Sequence, residues 1–92
     1  MVKHLHKYLN LDKDDVLILK MNVPAHVSLM DDDNYQRYLN EEEYEYYGDL
    51  VKKTPFRLGA PQPGNWHLVI EQENPRMALD VSVSVVKNRR MR

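Results

Sequence analysis

Pro63-Gly64-Asn65-Trp66-His67-Leu68-Val69-Ile70-Glu71 reads as a turn followed by the cleanest period-two segment of the chain. Proline pre-sets φ near −65° and glycine accepts a positive φ, which suits the two central positions of a type II turn. Beyond it Trp66, Leu68 and Ile70 fall on one face, and Asn65, His67 and Glu71 on the other. That is a strand with one face buried and one wet, Val69 being the exception on the wet face. It carries the single tryptophan of the chain.

Working outward, a second alternation places Leu79, Val81, Val83 and Val85 against Asp80, Ser82 and Ser84, and is expected to pair with the Trp66 strand. Phe56, Leu58 and Ala60 alternate with Arg57 and Gly59 before Pro61. Residues 16–23 are nearly all apolar, as in a strand covered on both faces or central in its sheet, and the 12–15 turn precedes them. Residues 26–30 form the next strand, joined to it by a hairpin across residues 22–25. Residues 1–11 are read as a further strand. Tyr44-Glu45-Tyr46 alternates like an exposed or edge strand, with Gly48-Asp49 as a turn. In one place the period changes: Tyr35, Tyr38 and Leu39 stand at i, i+3 and i+4, giving a short helical turn near residues 34–39 capped by an aspartate.

Seven to eight short strands with proline and glycine punctuation predict an all-β protein. The expected fold is a single antiparallel β-sandwich, Greek-key or jelly-roll-like, over residues 1–88, with a basic tail at residues 89–92. Its core is expected to hold Leu17, Leu19, Val27, Leu29, Phe56, Leu58, Trp66, Leu68, Ile70, Leu79, Val81, Val83 and Val85. The 92 residues suffice for one core and no more. Cysteine is absent, which in so small a domain favours a reducing compartment. No apolar run approaches the roughly 20 residues that span a bilayer, and no charged-then-apolar leader opens the chain, so a cytoplasmic protein away from the membrane is expected. The net charge of −1 gives no phosphate-neutralising patch, so nucleic acid is not an expected partner.

Asn34-Tyr35 with Tyr38, then residues 44–48, then Pro61 and Pro63-Gly64-Asn65-Trp66 with its apolar strand occur in an order that resembles a bacterial family of short uncharacterised proteins. That family is catalogued as a domain of unknown function, and the resemblance covers residues 5–86. It implies a compact β-sandwich, found alone or beside Toll/interleukin-1-receptor-type domains in a recognition or adaptor setting. It supplies no catalytic residues. A turn that reads Gly-Asp in the family is Asp14-Asp15 here, and a second glycine expected after Gly48 is Asp49.

His4, His6, His26 and His67 are the candidates for metal or acid-base chemistry. His4 and His6 share a face of any strand, but sequence supplies no third ligand, and solvated histidines are the reading preferred. Asp31, Asp33 and Glu42 match a calcium loop at its first, third and twelfth positions, but the glycine and the flanking helices it needs are missing, so a helix cap and a solvated acidic strand are preferred there too. Ser28, Ser82, Ser84 and Thr54 lack a nucleophile context. The tyrosines are the richer signal, because each offers a flat apolar body with a polar tip. The expected function is a non-catalytic binding or protein-interaction module using Tyr44, Tyr46, Asp31, Asp33 and Tyr35, with no cofactor and no metal. A metal-dependent carbohydrate-binding or hydrolytic domain using the acidic and histidine clusters is the alternative. The expected partner is a protein or a small-molecule ligand, and an edge strand offers a route to a homo-oligomer.

Overall fold

The computed structural model describes residues 4–74 and 76–87. In chain order it contains β1 (Leu5–Leu11), β2 (Val16–Met21), β3 (Ala25–Met30), α1 (Asp32–Leu39), β4 (Tyr47–Val51), β5 (Phe56–Gly59), β6 (Gly64–Gln72) and β7 (Val81–Val86). One sheet has the order β1-β6-β3-β4 and the other β5-β2-β7. Every neighbouring pair is antiparallel. The expected all-β sandwich with one short helix is therefore what the chain forms. The tail expected over residues 89–92 lies outside the described residues.

The core is where the two inner faces meet. Trp66, Leu68 and Ile70 of β6 cluster with Leu17 and Leu19 of β2 and with Val27 and Leu29 of β3. Leu17, Leu19, Val27 and Leu29 are completely buried. The Trp66 indole N–H donates to the Gln62 carbonyl at 3.0 Å, so the one polar atom of the largest core ring is satisfied at the mouth of its own strand. Phe56, Leu58, Leu79, Val81 and Val83 are only partly buried against this cluster, and Leu11, Ala25 and Val51 complete it. Val85 is 37% exposed, because β7 is an edge strand with its flank open to water.

Several local expectations are corrected. Residues 22–25 do not make a hairpin: β2 and β3 lie in different sheets, and the chain crosses between them at Pro24, which has no amide to carry a ladder on. β7 pairs with β2, not with β6, whose two sides are already taken by β1 and β3. Gly64 is the first residue of β6, opposite Leu11, and its φ of +146° departs from the value near +80° of a type II turn. Tyr44-Glu45-Tyr46 is not a strand; β4 starts at Tyr47 and carries Gly48 and Asp49 inside it. Gly48 has φ +150°, and a Cβ there would stand 1.9 Å from the Val27 carbonyl oxygen on β3. The glycine that reads as a turn signal is thus a point of close approach between two paired strands.

His67 and Val69 are not wet. They are 9% and 1% exposed, since α1 and the segment after it cover the outer face of the four-stranded sheet. Asp31 caps α1, its carboxylate accepting from the Asn34 amide at 2.9 Å, and Asp32 and Asp33 occupy the first turn where the helix dipole favours negative charge. The helix ends with Glu41 in the left-handed region at φ 59°, while the Glu42 amide donates to the Arg37 carbonyl and the Glu41 amide to that of Tyr38. These two bonds are the 6→1 and 5→2 pair of a Schellman ending.

Candidate functional site

The covered outer face is where the reactive side chains collect. Alternation on β1 puts His6 and Tyr8 on one side, with His4 just before the strand against Tyr38, and register sets Tyr8 opposite His67 and His6 opposite Val69. On β3 the same face carries His26, opposite Glu71, and Ser28, opposite Val69. Above them α1 lays down Tyr35 and Tyr38, spaced i, i+3 so that both meet the sheet.

Tyr35 stacks nearly parallel on two imidazoles at once, 4.3 Å from the ring centre of His6 and 4.4 Å from that of His67. His67 Nε2 lies 2.5 Å from Asp32 Oδ1, and His67 Nδ1 lies 2.7 Å from His6 Nε2. A carboxylate only accepts, so the His67 Nε2–H donates to Asp32. The result is a hydrogen-bonded line of His6, His67 and Asp32 that ties β1, β6 and α1 together. Burial, and then the nearby charges of His67 and His4, hold the His6 imidazole below its ordinary pKa.

Beside this line lies a groove of about 350 Å³. Its aromatic walls are His4, Tyr38 and Tyr44, and its acidic groups are Glu41, Glu42 and Glu71. The walls meet at steep angles: Tyr38 and Tyr44 are 5.3 Å apart at 80°, and His4 and Tyr38 are 5.2 Å apart at 87°. The Tyr38 hydroxyl donates to Glu71 Oε2 at 2.9 Å. Burial above all, then this bond to Glu71, pushes the Tyr38 phenol well above its usual pKa. Burial and the Glu71 charge raise Tyr44 as well, so both rings stay neutral phenols beside a carboxylate.

Asn34 holds the covering segment in place. Its side-chain oxygen accepts from the Glu45 amide at 2.8 Å while its side-chain nitrogen donates to Asp31, anchoring residues 42–46 to the start of α1. Tyr44 and Tyr46 thereby sit 5.6 Å apart. The Tyr46 hydroxyl lies 3.3 Å from His26 Nε2, whose other nitrogen is 3.1 Å from Ser28 Oγ.

Of the five residues expected to bind, Tyr44 lines the groove, Tyr35 caps the histidine pair and Tyr46 packs on His26. Asp31 and Asp33 lie outside the groove, in a neighbouring, more open polar depression of about 470 Å³ with Arg37 and Glu43; Tyr44 borders both, and Asp31 is already engaged as the helix cap. Tyr38 and Glu71 were not among the expected site residues. The i, i+3 spacing to Tyr35 was the available signal for Tyr38, whereas Glu71 joins only through strand register. Among the described residues no group of three or more His, Cys, Asp or Glu is arranged to hold a metal ion. No helix among them is long and apolar enough to cross a membrane.

A family model described as a domain of unknown function (DUF1883) matches residues 2–89. No curated protein and no solved structure matches the chain.

Proposed function

This chain belongs to the family of that domain of unknown function (DUF1883), and we propose that it acts as a non-catalytic binding module whose ligand seats in the groove between α1, residues 41–44 and the outer face of the four-stranded sheet. One observation carries the reading: three aromatic rings and three carboxylates from four separate parts of the chain converge on a single concavity of about 350 Å³. That size falls within the range typical of small-ligand sites, and a few polar groups set among flat apolar surfaces are their usual lining. A binding role is also supported by Ser28, the hydroxyl beside His26, which is only 2% exposed beneath the covering segment and so is poorly placed to attack a substrate.

The test is a screen of amines, sugars and nucleotides read by amide chemical shifts. Shifts concentrated at His4, Tyr38, Tyr44 and Glu71, and lost in Tyr44→Ala with the remaining spectrum intact, support the reading. Binding that persists unchanged in Tyr44→Ala rejects it.

A further inference from the structure

The ligand class follows from the charge of the groove, on the premise that the groove is the binding site. Its carboxylates, Glu41, Glu42 and Glu71, are set among His4, Tyr38 and Tyr44, with no lysine or arginine among the described lining residues. We propose that it takes a primary alkylammonium group, as borne by a free aliphatic amine or by a lysine side chain.

Complementarity argues for this occupant from both of its ends. An ammonium presents three N–H donors and no acceptor, which suits a site whose polar groups are carboxylates. Each such bond is charge-assisted and shorter and stronger than a neutral one. The methylenes behind the nitrogen need apolar contact, and Tyr38 and Tyr44 provide it while their ring faces attract a cation. The ring angles of 80° and 87° leave walls on more than one side of a narrow chain. Glu71 is braced in advance, because the Tyr38 hydroxyl donates to its Oε2. Both phenols keep their protons beside this carboxylate, so neither needs to ionise for the site to be negative. An anionic ligand would meet repulsion from Glu41, Glu42 and Glu71. A neutral polyol would leave that negative potential uncompensated.

The experiment titrates the whole chain with n-butylammonium and, in parallel, with butan-1-ol, its neutral counterpart of similar size. The expected result is saturable shifts at Tyr38, Tyr44 and Glu71 with the ammonium, weakened by added salt, and little response to the alcohol. Glu42→Gln combined with Glu71→Gln should weaken butylammonium binding about tenfold, glutamine keeping an acceptor for Tyr38 so that the fold is retained. Cadaverine and N-acetyl-lysine methylamide separate the two sources: tighter binding of the first marks a free amine, of the second a lysine-bearing partner. Equal responses to butylammonium and butan-1-ol, unaffected by the double substitution, would overturn the ammonium assignment while leaving a binding groove. Absence of groove shifts with every probe, charged or neutral, would overturn both.

Discussion

His67 Nε2 donates to Asp32 Oδ1 across 2.5 Å, joining the middle of β6 to the first turn of α1. The two ends of this contact differ: the histidine side chain is 11% exposed and the aspartate 64%. Its energy is accordingly modest, since the open end is screened by water. Its effect is positional, because α1 buries none of its own residues and depends on contacts of this kind to stay on the sheet.

The histidine line makes stability depend on pH in a defined direction. His6 is held below the ordinary value of 6.5 in the folded chain. Between its lowered value and about 6.5 the unfolded chain therefore binds more protons than the folded one, so stability rises with pH through that window. The contribution is fully present above about 6.5 and is lost as pH falls through the folded value. Urea midpoints measured across this window should fall further on acidification for the native chain than for His6→Gln, which has no group to titrate there. Equal falls in the two chains would contradict the assignment.

Gly48→Ala should be the most damaging of the glycine substitutions. The new Cβ would meet the Val27 carbonyl oxygen at 1.9 Å, and that oxygen belongs to backbone locked in the β3–β4 ladder. The φ of +150° adds strain for any side chain. A loss of about 3 kcal/mol is expected, whereas Gly59→Ala, with open space around it, should change the midpoint little. Equal effects at the two positions would show that the β4 edge can move aside.

Trp66 was legible as a core residue from alternation alone, and so were Leu17, Leu19, Val27 and Leu29. Period-two patterns report which side of a strand is apolar. They do not report which strand lies next to it, so the β6–β7 pairing that the alternation suggests is not the one formed. Nor do they report what covers the polar side: His67 and Asn65 share a face in sequence, yet α1 buries only the former. The site was legible as residue types, tyrosines and acids near residues 31–49, but its assembly depends on the β1–β6 register that brings His6 to His67. Gly48 misled because a turn and a close approach of strands both ask for glycine.

Trp66→Ala should cost about 3–5 kcal/mol, the range for emptying a large buried site. Its ring is 4% exposed at the centre of the cluster shared by both sheets. Trp66→Phe should cost less, retaining most of the volume while leaving the Gln62 carbonyl without its donor. Chemical denaturation of both variants checks the order, and an unchanged midpoint for alanine would contradict the packing.

Glu41→Gly should stabilise the chain. Glu41 sits at φ 59°, the position after the helix cap where glycine is favoured, and its amide bond to the Tyr38 carbonyl closes the Schellman ending. An L-residue in that region costs roughly 1–2 kcal/mol; glycine removes this but loses about 0.5–1 kcal/mol more entropy on folding. A net gain of up to about 1 kcal/mol follows. Glu42, the next residue and also in the groove, has no positive φ. Glu42→Gly should therefore give no gain and separates relief of strain from relief of crowding among the carboxylates. If both substitutions raise the melting temperature alike, charge repulsion rather than backbone geometry is the cause. If only Glu41→Gly does, the chain keeps a costly glutamate on the rim of its groove, where glycine would fold better.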